Sequence, residues 1–198
     1  MLKIKYSFLL FLLTMIVGIC SAQQKNSTSP WRFHSMMNVG LLVGQTGNAF
    51  QLQTINGAQY RSWFAGAGVG LDYYRFRTIP LFLDLKKEFG RSSNKLFVYA
   101  DGGVSFSWVS DDEKLGYVDD HFSNGFYSDL GFGYKSAVGK NNALIISLGY
   151  SYKKLTETYT SPFYYFTDPY NTDPLTSPSK EQINYSLNRL SIKIGWEF

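Results

Sequence analysis

The 198-residue sequence holds a single cysteine, Cys20, and it lies in an N-terminal apolar stretch, outside the body of the chain. Disulfides, thiol catalysis and cysteine-ligated metals are therefore excluded from the body. Charge is scarce, at 17% of residues, and the formal balance of +4 gathers into no basic face, which excludes nucleic acid as a partner. After residue 22 no apolar run reaches the roughly 20 residues of a membrane-crossing helix, and no long segment repeats with a 3.6-residue period. What is plentiful is glycine (18 residues) and aromatic side chains (16 Phe, 15 Tyr, 4 Trp). Such a composition points to β-structure in a single domain.

Residues 1–22, MLKIKYSFLLFLLTMIVGICSA, carry Lys3 and Lys5, then an apolar stretch from Phe8 to Ile19, then small residues at Ser21 and Ala22. This layout predicts a cleaved signal peptide. Lipidation at Cys20 is disfavoured because Ile19, not a small residue, precedes it. Removing Lys3 and Lys5 leaves 17 basic against 15 acidic residues, a balance of +2. Residues 23–32 are expected to form a polar periplasmic tail, and residues 33–198 one domain.

That domain alternates with period two. In residues 63–75, Trp63, Ala65, Ala67, Val69, Leu71 and Tyr73 oppose Phe64, Gly66, Gly68, Gly70, Asp72 and Tyr74. Similar runs occupy residues 79–89, 96–108, 126–135, 144–153 and 189–198, with weaker ones at 37–44 and 50–56, so eight strands are predicted. Short, turn-rich connections suit antiparallel neighbours. Pro80 is expected near a strand start, where a missing N–H is tolerated.

Alternation leaves open which face is outside. A soluble periplasmic lipid-binding barrel would turn the apolar face inward; a membrane barrel turns it outward. The polar face is rich in Gly and Ser, which suit the narrow interior of an eight-stranded barrel. Aromatic residues mark both ends of the apolar face: Trp63 and Tyr73 are ten residues apart, roughly 25 Å along a tilted strand. Unpaired backbone groups find no partner in lipid, so the sheet must close. The fold predicted is an all-β, closed, antiparallel, eight-stranded up-and-down transmembrane barrel with its apolar face outward.

Eight alternating strands behind a signal peptide, with the terminal run Arg189-Leu-Ser-Ile-Lys-Ile-Gly-Trp-Glu-Phe198, resemble the small outer-membrane β-barrels of Gram-negative bacteria. The Ser-Ala-Gln-Gln junction and the run Gly40-Leu-Leu-Val-Gly44 are most similar to Bacteroidota families, including PorT-like and OmpX-like barrels. The resemblance implies an outer-membrane location, lipid as surroundings, and Trp196 and Phe198 as a signal read by the barrel-assembly machinery. It implies no cofactor and leaves the role open among membrane integrity, adhesion and accessory work in secretion or envelope assembly, with a surface or envelope protein as unidentified partner.

With both termini periplasmic, residues 45–49, 76–78, 109–125 and 158–184 are expected as external loops. The inward face carries Asp72, Asp84, Glu88, Asp101, Asp129 and Glu197 with Lys86, Lys135, Lys153, Arg189 and Lys193. These read either as an ion path or as a paired network filling the lumen, and the narrow bore favours the network. Asp111, Asp112, Asp119 and Asp120, with Glu113, could suit a hard cation, although their spacing matches no EF-hand and a solvated acidic loop has the same composition. Phe163, Tyr164, Tyr165, Phe166 and Tyr170 make the fourth loop a candidate recognition surface. His121-Phe-Ser123-Asn124 resembles the His-x-Ser-Asn motif of outer-membrane lipid A 3-O-deacylases, implying a lipid hydrolase with His121 as base and Ser123 as nucleophile. Lys135 stands where that family places its acid, and Asp129, the nearest acid, faces the other way. No catalytic activity is expected.

Overall fold

The computed structural model describes residues 30–45, 47–74, 76–90, 93–109, 118–139, 141–161 and 179–198. The strands are β1 (Trp31–Gly44), β2 (Gly47–Tyr60), β3 (Trp63–Tyr73), β4 (Arg77–Phe89), β5 (Asn94–Ser107), β6 (Val118–Ser123), β7 (Gly125–Val138), β8 (Asn142–Ser161) and β9 (Ser179–Glu197). All neighbours pair antiparallel, and β1 pairs with β9 to close the wall. β6 and β7 both pair with β8 and make one barrel strand, so the wall has eight. Between them the register slips: Ser123 faces Thr156 but Tyr127 faces Lys153, an extra residue on one side. This bulge sits where a Cβ on Gly125 would collide with the Lys154 carbonyl.

The apolar face is outside. Leu83 is 70% exposed, and Val98 and Ile192 also face outward, whereas Asp72 is fully buried. A soluble barrel with a greasy interior needs the reverse, so that alternative is overturned. The aromatic ends of the outer face carry Trp31, Trp63 and Phe89 at the rim near the termini, and Tyr73, Trp108 and Phe126 at the other. Phe198 is tied to β1 by two 2.9 Å backbone hydrogen bonds with Ser35, so the last residue completes the closure.

Inside, the glycines serve as sockets. A Cβ on Gly133 would lie 2.3 Å from the Phe97 ring, and one on Gly68 would lie 2.5 Å from Phe82. Phe64, Phe82, Phe97, Tyr99 and Tyr127 with Met36, Ile55 and Ile145 form an inner cluster that fills the barrel's middle. Pro80 lies at the fourth position of β4, and the β3–β4 ladder skips from Val69–Leu81 to Asp72–Thr78 around it.

Three expectations are corrected. Trp31 and Arg32, assigned to the tail, pair with Tyr60 and Gln59 in β1. The two weak early runs are full 14-residue strands. The third and fourth loops are shorter than expected, because Val118–Ser123 is strand, β8 continues to Ser161 and β9 begins at Ser179. There the outer face is polar, so the apolar–polar alternation that marks a strand in the wall is missing. The β-forming Thr156, Thr158, Tyr159 and Thr160 were the available signal. Residues 1–29, 110–117 and 162–178 lie outside the described residues, and with them the expected signal peptide, Asp111, Asp112 and Glu113, and Phe163, Tyr164, Tyr165, Phe166 and Tyr170.

Candidate functional site

The lumen is organised in three tiers, each built from side chains of strands distant in sequence. At the end near the termini, Lys135 Nζ bridges Glu88 Oε1 (2.8 Å) and Glu197 Oε1 (2.6 Å). Lys95 Nζ reaches Glu88 Oε2 at 2.6 Å, Gln59 donates to the same oxygen at 2.8 Å, and His34 Nδ1 lies 3.1 Å from Glu197. Solvent still touches this tier: the Lys95 side chain is 30% exposed.

The middle tier places three carboxylates side by side on β4, β5 and β7, since Asp84 faces Asp101 and Asp101 faces Asp129 across the ladders. Lys86 Nζ holds Asp84 Oδ2 at 2.8 Å, and Lys193 Nζ lies 3.1 Å from Asp129 and 3.7 Å from Asp101. Tyr99 donates to Asp129 Oδ1 at 2.8 Å while its ring lies under Lys193, 4.3 Å from the ammonium. Gln53 donates to the Tyr127 hydroxyl at 2.9 Å.

The upper tier is dry. Lys153 and Asp72, both with fully buried side chains, pair at 2.5 Å, and Lys153 also donates to Thr78 Oγ1, which donates to Asp72. Tyr74 covers the pair: its ring centroid is 4.2 Å from Lys153 Nζ, and its hydroxyl donates to Ser151. Arg189 closes the tier by donating to the backbone carbonyls of Leu42 (3.3 Å), Gly47 (2.5 Å) and Tyr74. Above it, the Phe76 ring meets Phe122 at a tilt and Tyr185 edge-on, and Tyr185 donates to Glu157 at 2.6 Å.

These tiers leave little space. A void of about 10 Å³ lined by Asn38, Asp84, Lys86, Tyr99 and Lys193 holds one water at most. Asp72, Asp84, Lys86, Glu88, Asp101, Asp129, Lys135, Arg189, Lys193 and Glu197 all point inward, and every one but Lys135 is buried. Glu157, Lys95, His34 and the tyrosines Tyr74, Tyr99 and Tyr127 belong to the same network, although the sequence pattern did not single them out. Trp196 and Phe198 are on the opposite side of β9, facing outward.

Beyond the upper tier, β6, β8 and β9 continue as a three-stranded ledge, with β8–β9 pairs running out to Ser161–Ser179. His121 and Ser123 lie here, both exposed, two residues apart on β6. Among the described residues no hydrogen bond joins them, and Asp129 is held in the lumen by Lys193, Tyr99 and Ser191. Asp119 and Asp120 lie on β6, and no group of metal-binding side chains occurs among the described residues.

No protein-family model and no curated protein matches the sequence. Among solved structures, the chain resembles Neisserial surface protein A at 13% identity and TM-score 0.52, over 85% of this chain and 96% of that one. It resembles the outer membrane protein OprG from Pseudomonas aeruginosa at 10% identity and TM-score 0.52, over 83% of this chain and 94% of that one. Likenesses at such identities establish a shared fold: the closed eight-stranded antiparallel barrel.

Proposed function

We propose that the chain is a non-enzymatic outer-membrane barrel of a Gram-negative bacterium, exported by a cleaved signal peptide. Its lumen is a sealed plug, and its ledge presents the two long loops to the outside. In this reading the protein works in recognition, adhesion or as an accessory of envelope assembly or secretion, and it reaches its membrane through an assembly signal at Trp196 and Phe198. The observation that carries the proposal is a bore crossed by charged pairs and by an inner cluster of aromatic side chains, set beside strands that run past the wall. A barrel that conducts must leave a continuous wet path, and eight strands filled by paired charges leave none.

The test is conductance of the purified barrel in planar bilayers together with capture from solubilised envelopes. The closed barrel is expected to give no channel steps. A partner protein captured by the intact chain is expected to be lost when residues 162–178 are replaced by a short turn. Steady ion conductance would overturn the sealed lumen; capture unaffected by the replacement would overturn the role of that loop.

A further inference from the structure

The rim near the termini carries cations that the lumen does not use. β2 and β3 join there through the tight turn Arg61–Ser62, with Tyr60 facing Trp63 across it and Arg61 at φ 56°. The turn is clamped to β4 twice: the Ser62 carbonyl accepts from the Glu88 N–H at 2.8 Å, and Ser62 Oγ accepts from Lys87 Nζ at 2.9 Å. Lys87 is on the outer face of its strand, and its ammonium lies 4.4 Å from the centroid of the Trp63 ring. Arg61 lies 5.3 Å from the centroid of Tyr60, which in turn stacks on Trp31 at 4.8 Å.

Neither Lys87 nor Arg61 has a carboxylate partner among the described residues. The acids of this end, Glu88 and Glu197, are buried inside and held by Lys95, Lys135 and His34. Two cations, a hydroxyl and a platform of aromatic rings thus sit together where the apolar outer face ends. Rings of this kind belong at the headgroup level, and long basic side chains reach from apolar surface toward it. A cation over a ring is also held in place before it meets an anion.

We infer that Arg61, Ser62 and Lys87, on the platform of Trp31, Tyr60 and Trp63, form a binding site for the phosphate of an anionic glycerophospholipid. The occupant belongs to the leaflet on the side of the chain termini. Lys87 and Ser62 hold the phosphate as donors, Arg61 supplies a second, forked donor, and the acyl chains run along the outer face beside Trp63. The inference rests on the chain being a membrane barrel but is independent of what the ledge recognises.

Native mass spectrometry of the folded barrel, from micelles holding equal phosphatidylglycerol and phosphatidylcholine, tests it. The unmodified protein is expected to retain phosphatidylglycerol preferentially. Lys87→Gln and Arg61→Gln are each expected to reduce that preference about fivefold. Lys154→Gln, an exposed lysine on the outer side of β8, is expected to leave it unchanged, and so is Lys87→Arg. Equal retention of the two lipids by the unmodified protein, or a preference that survives both glutamine variants, overturns the site. Displacement of the lipid by millimolar inorganic phosphate overturns it too, because the site would then take a free anion. Heat-modifiable gel mobility confirms that each variant is folded, and if Lys87→Gln does not fold, the lipid comparison on the unmodified chain decides. A chain that proved water-soluble without detergent would instead overturn the membrane reading itself.

Discussion

The two ends of the lumen use the same chemistry in different surroundings. Near the termini, Glu88 and Glu197 share Lys135, Lys95 and His34 in a cluster that solvent reaches. At the other end, Lys153 and Asp72 pair in complete burial beneath Tyr74. In a wet cluster each charge can fall back on water when its partner is lost, so single pairs count for little. In the dry one there is no fallback, and removing one partner leaves an uncompensated charge. The stability of the barrel should therefore be held unevenly, with the dry end as its most vulnerable point.

Urea unfolding in detergent, followed by heat-modifiable mobility, can break that contrast. Lys153→Met is expected to cost about 3–5 kcal/mol, and adding Asp72→Leu should restore most of the loss. A cost for the single variant no larger than that of a rim pair would refute the distinction. Gly149→Ala is next: its Cβ would lie 2.1 Å from the Tyr99 hydroxyl and 2.6 Å from Asp129 Oδ1, an overpacking expected to cost about 1–3 kcal/mol. Lys95→Met, at the wet end, is expected to cost about 1 kcal/mol or less, and 1 M salt should shrink that difference while leaving the Lys153→Met loss intact. Smallest of all, replacing residues 162–178 by a short turn should move barrel stability by less than about 0.5 kcal/mol, because the wall pairs Met36–Val43 with Leu190–Glu197 without that loop.

Much of the wall was legible residue by residue. Leu83, Val98 and Ile192 were readable as outward and Asp72 and Lys193 as inward because each sits in a run with one apolar face and one polar face rich in the small residues a narrow bore admits. The same local rule failed on the ledge, where the outer face of β8 and β9 turns polar, with Lys154, Thr156, Asn184 and Ser186, and where residues 109–125 and 158–184 were read as loop. It also left open how the inner aromatics fit. Phe97 and Tyr99 lie on the face opposite Leu96 and Val98, and only the glycines across from them, Gly133, Gly131 and Gly149, explain how such rings fit in so narrow a bore. The motif His121-Phe-Ser123 shows how little a short match fixes by itself: its two residues lie exposed on β6, while Asp129, the nearest acid, is paired with Lys193 in the lumen.

Which side of each strand faces outward is set by the sequence itself, since the pleat sends neighbouring side chains to opposite faces and a one-residue slip would expose every charge. Which charge meets which was decided only by the closed tertiary structure. Lys153 finds Asp72 from 81 positions away and Lys193 finds Asp129 from 64. Those meetings depend on how the strands stagger as the barrel closes, and no local pattern carries that stagger.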